Sequence, residues 1–382
     1  MSVKPRKSEF NKKGVAFGLE LYKNVRAISK PTNTVLSPVS IHLALGLTYM
    51  GASGETQREM KRVLRLEDDK TLTGKSFYGV LCKYQKNPNI VIANKLYVQQ
   101  GFEIKAEMNQ VAKKWFKSEI EAVDFSEQAS AAETVNKWIK EKTGGKITDI
   151  VNQDAFEPNT VLILLNALYF KCNWKHPFDM NTEEGHFWLN DGESMKVTMM
   201  KQRSMKASYA EFGDLDSIAV QLPFADEDLS MLILLPNNKT GLDALEAKLV
   251  GLDLPQRRKQ MMQETVKITM PLFRVEFEQN LNDALKKMGL ASMFNTNDAN
   301  FSELIEDGGD NFFVSKVVHK TFIDVNTGGV EAAAATTVEI IPRASPELPK
   351  DILVDHPFLF ALFSKKHRLF FVGSIRNPQD KM

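Results

Sequence analysis

The side chains of this chain best placed to meet another molecule are Pro342, Arg343 and Ala344. Proline fixes φ at about −65° and favours an extended backbone. Arg343 then presents a cation on a narrow chain, the shape and charge that the acidic pocket of a trypsin-like protease binds. Upstream, Val330, Ala332, Ala334, Thr336, Val338 and Ile340 alternate with Glu331, Ala333, Ala335, Thr337, Glu339 and Ile341. The first set makes a small apolar face, and the second carries charge and hydroxyl. That period of two is the pattern of a half-buried strand. Yet Gly328-Gly329 before it and Pro342-Arg343 after it are hinge and exposed-loop chemistry. Two other readings stand beside a loop able to become a strand. Glu331 followed by four alanines is a good helix start, and the stretch also suits a flexible linker. Thr336, Thr337, Val338, Ile340 and Ile341 argue against a long helix, because β-branched side chains lose freedom there.

Catalytic and metal-binding patterns are missing elsewhere. Gly51-Ala52-Ser53-Gly54-Glu55 fails the Gly-x-Ser-x-Gly elbow at its last position. Gly144-Gly145-Lys146 lacks the upstream glycine and following hydroxyl of a phosphate loop and reads as a helix end. The histidines, His42, His176, His186, His319, His356 and His367, are not spaced as a metal pair. His319 shares a strand face with Val317, Ile323 and Val325, where a histidine is usually a hydrogen-bonded core residue. Nothing here indicates an enzyme.

The net charge of +1 gives no reason to expect nucleic acid. Basic clusters at Lys4 to Lys7, Lys113-Lys114-Lys117, Arg257-Arg258-Lys259 and Lys365 to Arg368 read first as solvated faces. A glycosaminoglycan, or another heparin-like polyanion, is the one cofactor class they would serve, and none is required. No apolar run reaches the length of a membrane span, and the first residues have no signal-peptide core. Asn238 and Asn300 open glycosylation triplets that lean towards a secreted protein with its signal replaced, although an intracellular one fits as well. Cys82 and Cys172 permit one disulfide but read better as two buried free thiols.

The elements that must position the Arg343 segment follow from periodicity. Phe10, Phe17, Leu21 and Val25 mark an amphipathic helix. Ser37-Pro38 caps a second helix to Met50 that is apolar all round and therefore buried. Further helices are expected from Ser53 to Leu64, Lys75 to Tyr84, Ile104 to Lys117, Ala131 to Lys142 and Leu281 to Met288. Strands are expected over Asn89–Val98, Thr160–Phe170, Asp216–Phe224, Leu229–Pro236, Glu264–Phe277, Asn311–Asn326, Pro357–Phe363 and Leu369–Ser374. Thr160–Phe170 is apolar without alternation, as in a strand covered on both faces. Helices first and strands later indicate an α+β fold with large sheets. With no linker or repeat, residues 1–382 read as a single domain.

In chain order, five motifs resemble the serpins. They are Asn33-Thr-Val-Leu-Ser-Pro-Val-Ser-Ile41, Asn166-Ala-Leu-Tyr-Phe-Lys-Cys-Asn-Trp174, His319-Lys-Thr-Phe-Ile-Asp-Val-Asn326, Asp355-His-Pro-Phe-Leu-Phe360 and Phe371-Val-Gly-Ser-Ile-Arg-Asn-Pro378. The overall flavour is similar to arthropod inhibitors of immune proteases. The resemblance implies helices around three β-sheets and a mobile reactive-centre loop at 327–350. It implies a monomeric suicide inhibitor of an Arg-specific, trypsin-like serine protease, held as a covalent complex. Counting sixteen residues on from Thr327 places the scissile bond at Arg343–Ala344, with Gly328, Gly329, Val330, Glu331, Ala332, Ala333, Ala334 and Ala335 as the hinge. Ser37, Ser40, Asn166 and His319 resemble the hydrogen-bonded shutter beneath the main sheet, and Trp174 the breach at its top. Thr327 and Gly328 depart from the family's Glu and polar residue, which should loosen the hinge. A non-inhibitory carrier, storage protein or chaperone is the alternative, and inhibition of cysteine proteases is a third reading. Bulky or charged hinges mark the non-inhibitory members, and this hinge is glycine, valine and alanine.

Overall fold

Ser37-Pro38 starts the helix around which the rest is built. The computed structural model describes residues 7–28, 33–190, 192–306, 311–328 and 348–380. Helix α1 is Lys7–Arg26, and α2 is Pro38–Gly51. Every residue of α2 is buried, and the Ser37 side chain caps it by accepting from the Ser40 N–H. Proline at the first turn leaves no N–H to satisfy. Gly46 lies where any Cβ would meet the Phe77 ring at 2.4 Å, so glycine there lets a neighbouring helix pack against α2. The other helices are α3 (Gly54–Leu64), α4 (Lys70–Tyr84), α5 (Ala106–Val111), α6 (Gln128–Lys142), α7 (Leu242–Ala247), α8 (Leu254–Gln260) and α9 (Asn282–Lys287). A π-helical turn, Ala112–Phe116, continues α5. Helix α4 starts five residues before its expected position, because Asp69 caps the N–H groups of Thr71 and Leu72.

Strands β1 (Thr34–Leu36), β2 (Ile90–Gln99), β3 (Ile120–Val123), β4 (Leu162–Phe170), β5 (Glu183–Trp188) and β6 (Ser194–Phe212) come first in the chain. Then follow β7 (Ser217–Pro223), β8 (Leu229–Pro236), β9 (Met262–Pro271), β10 (Phe273–Asn280), β11 (Val314–Val325), β12 (Lys350–Leu353), β13 (Phe358–Ser364) and β14 (Leu369–Ile375). The main sheet has the order β10-β11-β4-β2-β3. A second hydrogen-bonded array runs β1-β14-β13-β8-β7-β6-β9-β12, with β5 on β6. Its long strand β6 changes register between Gln202 and Met205, pairing with β5 before that break and with β7 after it. The array is thus two sheets sharing one strand, which with the main sheet makes three.

The single strand expected over Glu264–Phe277 is two strands in different sheets. Leu272 separates β9 from β10; its N–H still goes to the Thr198 carbonyl of β6, one step beyond the Met199–Pro271 pair, and from Phe273 the chain pairs with β11 instead. Apolar alternation continues across the break and conceals it. The expected pair of buried cysteines is also corrected: both thiols are free, but Cys82 is exposed and only Cys172 is buried.

Strand β4 reads as unbroken apolar sequence because both faces are covered. Leu162, Leu164 and Leu168 join the core around α2, while Ile163, Leu165 and Ala167 join a second cluster with Ile139 of α6. Each helix covers one face, and the strand's side chains alternate between them.

Candidate functional site

Strands β4 and β11 lie side by side and parallel, paired from Val314 opposite Leu162 to Ile323 opposite Phe170. No third strand separates them. The chain leaving β11 at Val325 continues through Asn326 and Thr327 to Gly328 at the top of this seam. A segment that turned back there would enter the seam antiparallel to both strands.

The seam is pinned at its centre by polar side chains. Register places Asn166 opposite His319 on one side and opposite Asn94 on the other. The Ser37 N–H donates to His319 Nε2 at 3.1 Å, so that nitrogen carries a lone pair. The proton therefore sits on Nδ1, which donates to Asn166 Oδ1. Ser40 Oγ shares one proton between Asn166 Oδ1 at 3.0 Å and the Ser37 carbonyl at 3.1 Å. Asn166 Nδ2 donates to Asn94 Oδ1. Two residues nearer the seam's top, Thr321 Oγ1 donates to the Val35 carbonyl at 3.0 Å. Burial pushes the His319 pKa down to about 3, so the ring is neutral at physiological pH. A proton on Nε2 would oppose the Ser37 N–H.

The upper end is held separately. Trp174 Nε1 donates to the Asn326 carbonyl, and the Phe178 N–H donates to the Thr327 carbonyl, both at 2.9 Å. The Trp174 ring stacks on Phe224 at 4.5 Å and meets Phe178 edge-on at 5.7 Å. Buried aromatic packing thereby fixes the two donors that grip Asn326 and Thr327, the two residues between β11 and the hinge.

The structure thus brings Ser37, Ser40, Asn166 and His319 into one cluster and sets Trp174 at the seam's top. Gly328 is a half-buried bend directly after the gripped carbonyls. Gly329, Val330, Glu331, Ala332 to Ala335, Pro342, Arg343 and Ala344 lie outside the described residues. Lys350, the other basic residue near the loop's end, opens β12 and pairs with Val266 of β9. Asn94, Thr321 and Phe178 were not expected from sequence. Asn94 had a signal, as an amide inside the apolar run Ile90-Val-Ile-Ala-Asn-Lys-Leu-Tyr-Val98. Phe178 acts through its backbone and had none.

Asn238 and Asn300 are both exposed, outside any helix or strand. Asn238 Oδ1 accepts from the Thr240 N–H and hydroxyl at 3.0 Å. Two basic clusters are largely structural. Arg258 binds Gln221 at 2.9 Å and stacks on Phe363. Arg257 pairs with Asp214, and Arg368 reaches Asn11 at 3.1 Å. Lys113, Lys114 and Lys117 stay exposed.

A parallel seam backed by a polar cluster, with a loop leaving its top, belongs to a recognisable class of protein. Residues 12–378 match the family model described as Serpin (serine protease inhibitor). The chain belongs to the serpin family. It is 33% identical to serine protease inhibitor 42Dd of Drosophila melanogaster over 94% of this chain and 95% of that protein. Serpin48 of the insect Tenebrio molitor superposes with a TM-score of 0.88 at 31% identity, covering 99% of this chain and 100% of that one. Arabidopsis AtSerpin1 in its native stressed conformation superposes with a TM-score of 0.89 at 27% identity, covering 98% and 99%. An arthropod origin fits the insect relatives.

Proposed function

We propose that this serpin is a suicide-substrate inhibitor of trypsin-like serine proteases, cleaved after Arg343. The target's serine oxygen attacks the Arg343 carbonyl carbon. The bond to Ala344 breaks, the serine proton passes to the leaving amine, and Arg343 is left as an ester on the enzyme. The freed segment then enters between β4 and β11 and carries the enzyme with it before water cleaves the ester. Sixteen residues at about 3.3 Å span about 50 Å, enough to cross a domain of this size.

The observation that carries this reading is the direct β4–β11 ladder beside a loop with strand periodicity. The closed seam lacks one strand, and the loop has the pattern to supply it. Burying Val330, Val338 and Ile340 would contribute about 1.5–3 kcal/mol each, and new ladder bonds about 0.5–1.5 kcal/mol net each. Alanines at 332–335 thread between the strands with little obstruction.

Incubation with trypsin tests the proposal. The expected product is a covalent complex that survives SDS, together with a C-terminal fragment beginning at Ala344. Cleaved protein alone, without complex and without a gain in heat stability, would contradict it and favour the carrier or chaperone reading. Arg343→Glu should abolish trypsin inhibition and leave the fold intact. Ala334→Arg should obstruct insertion and turn the inhibitor into a substrate.

A further inference from the structure

We infer that the upper part of the main sheet's β2 edge, along Ile90–Lys95, is a docking site for an extended acidic peptide of a partner protein, which adds there as a short strand. Strand β2 pairs with β4 from Ile90 to Val98, but β3 covers its other side only over Leu96–Gln99. From Ile90 to Lys95, no strand among the described residues lies on the outer side of β2. The direction of its backbone groups follows from two bonds: the Gln99 N–H goes to Val161 beside β4, whereas the Gln100 N–H goes outward to Val123 of β3. Odd-numbered residues thus face β4, and Ile92 and Asn94 turn their N–H and C=O groups to the open edge. Ser118 Oγ already donates to the Asn94 carbonyl at 2.7 Å. An incoming strand would therefore pair along Ile92 and end at the Asn94 N–H.

This edge is the floor of a cleft of about 550 Å³ rather than a bare rim. Its walls come from the end of α4, the π-helical turn and the last turn of α6. Lys113, Lys117 and Lys142 line it, all exposed and without a carboxylate partner among the described residues. Lys117 rests over the Tyr78 ring at 4.9 Å. Lys95 is already paired with Glu121, and Glu119 is the one carboxylate lining the cleft. An unpaired strand edge selects an extended backbone, and three ammonium groups without carboxylate partners, against one carboxylate, select acidic side chains. A bare edge also invites aggregation; the lysines discourage self-pairing and leave the edge open to an anionic strand.

Binding at this edge requires no inhibitory activity. A phage-displayed random nonapeptide library, selected on the intact protein, tests it. The expected peptides carry Asp or Glu at alternate positions and no central proline. Resynthesised, they should bind at least tenfold more weakly to Lys113→Glu/Lys117→Glu protein, and more weakly as salt rises. N-methylation of alternate amides should remove binding, because it deletes the strand bonds and keeps the charge. The charge-reversed variant should retain its melting temperature and trypsin inhibition, which separates a lost site from a lost fold. Selected peptides that are not acidic, or that bind equally when N-methylated, would overturn the inference. So would a heparin octasaccharide that binds these lysines while no peptide is enriched, since charge alone would then explain the cleft.

Discussion

At the scale of single residues, buried histidines make this fold sensitive to pH. His319 is held neutral between the Ser37 N–H and Asn166, and burial sets its pKa at about 3. His42 stacks on Phe17 at 5.0 Å, bonds the Leu64 carbonyl at 2.9 Å, and is pushed by burial down to about 4. In the unfolded chain both protonate at about 6.5. The unfolded state therefore takes up protons first as pH falls. The stabilisation is complete above about pH 6.5 and is lost through the window down to the folded values. Urea unfolding should show stability falling by about 2–3 kcal/mol per pH unit between pH 6 and 5, before most carboxylates protonate. A flat profile there would mean that the rings are not buried neutral. The thiols provide a simpler measurement. A thiol reagent should label Cys82 in the folded protein and Cys172 only after unfolding, since burial covers Cys172 and raises its thiol pKa.

At the scale of elements, β11 is held to β4 at its centre and gripped at its end. Opening the seam must part His319 from Asn166, and a buried polar group left without its partner costs about 1–3 kcal/mol. Only the upper grip adjoins the hinge. Trp174→Phe keeps the aromatic packing against Phe224 but deletes the donor to Asn326. The expected outcome is a drop of about 1 kcal/mol in stability and a shorter inhibitory half-life at 37 °C as the loop enters the seam uncut. An unchanged half-life would place control of the hinge elsewhere. The element scale is also where periodicity misled, at β9 and β10. Alternation reports that a residue has a buried face, and it does not report which sheet buries it.

At the scale of the whole molecule, the proposed insertion mechanism requires the closed seam to be a kinetically held state. Cleavage at Arg343–Ala344 should raise the melting temperature by at least about ten degrees, given an insertion energy on the order of 10 kcal/mol. An unchanged melting temperature on calorimetry would refute insertion. What the sequence determined by itself was local and periodic. Ser37-Pro38 starts a helix because of the cap and the proline, the residue types alternate from Val330 in the pattern of a strand, and the proline before Arg343 favours an extended backbone. These follow from dihedral preference and side-chain spacing, which operate within a few residues. Only tertiary structure decided the rest. Asn94, Asn166, His319 and Ser37 meet because strand register and the seat of α2 align four distant segments. The Trp174 and Phe178 donors reach Asn326 and Thr327 because aromatic packing brings them to the end of β11. Contacts across hundreds of residues depend on which strands pair, and pairing is set by how the whole core packs.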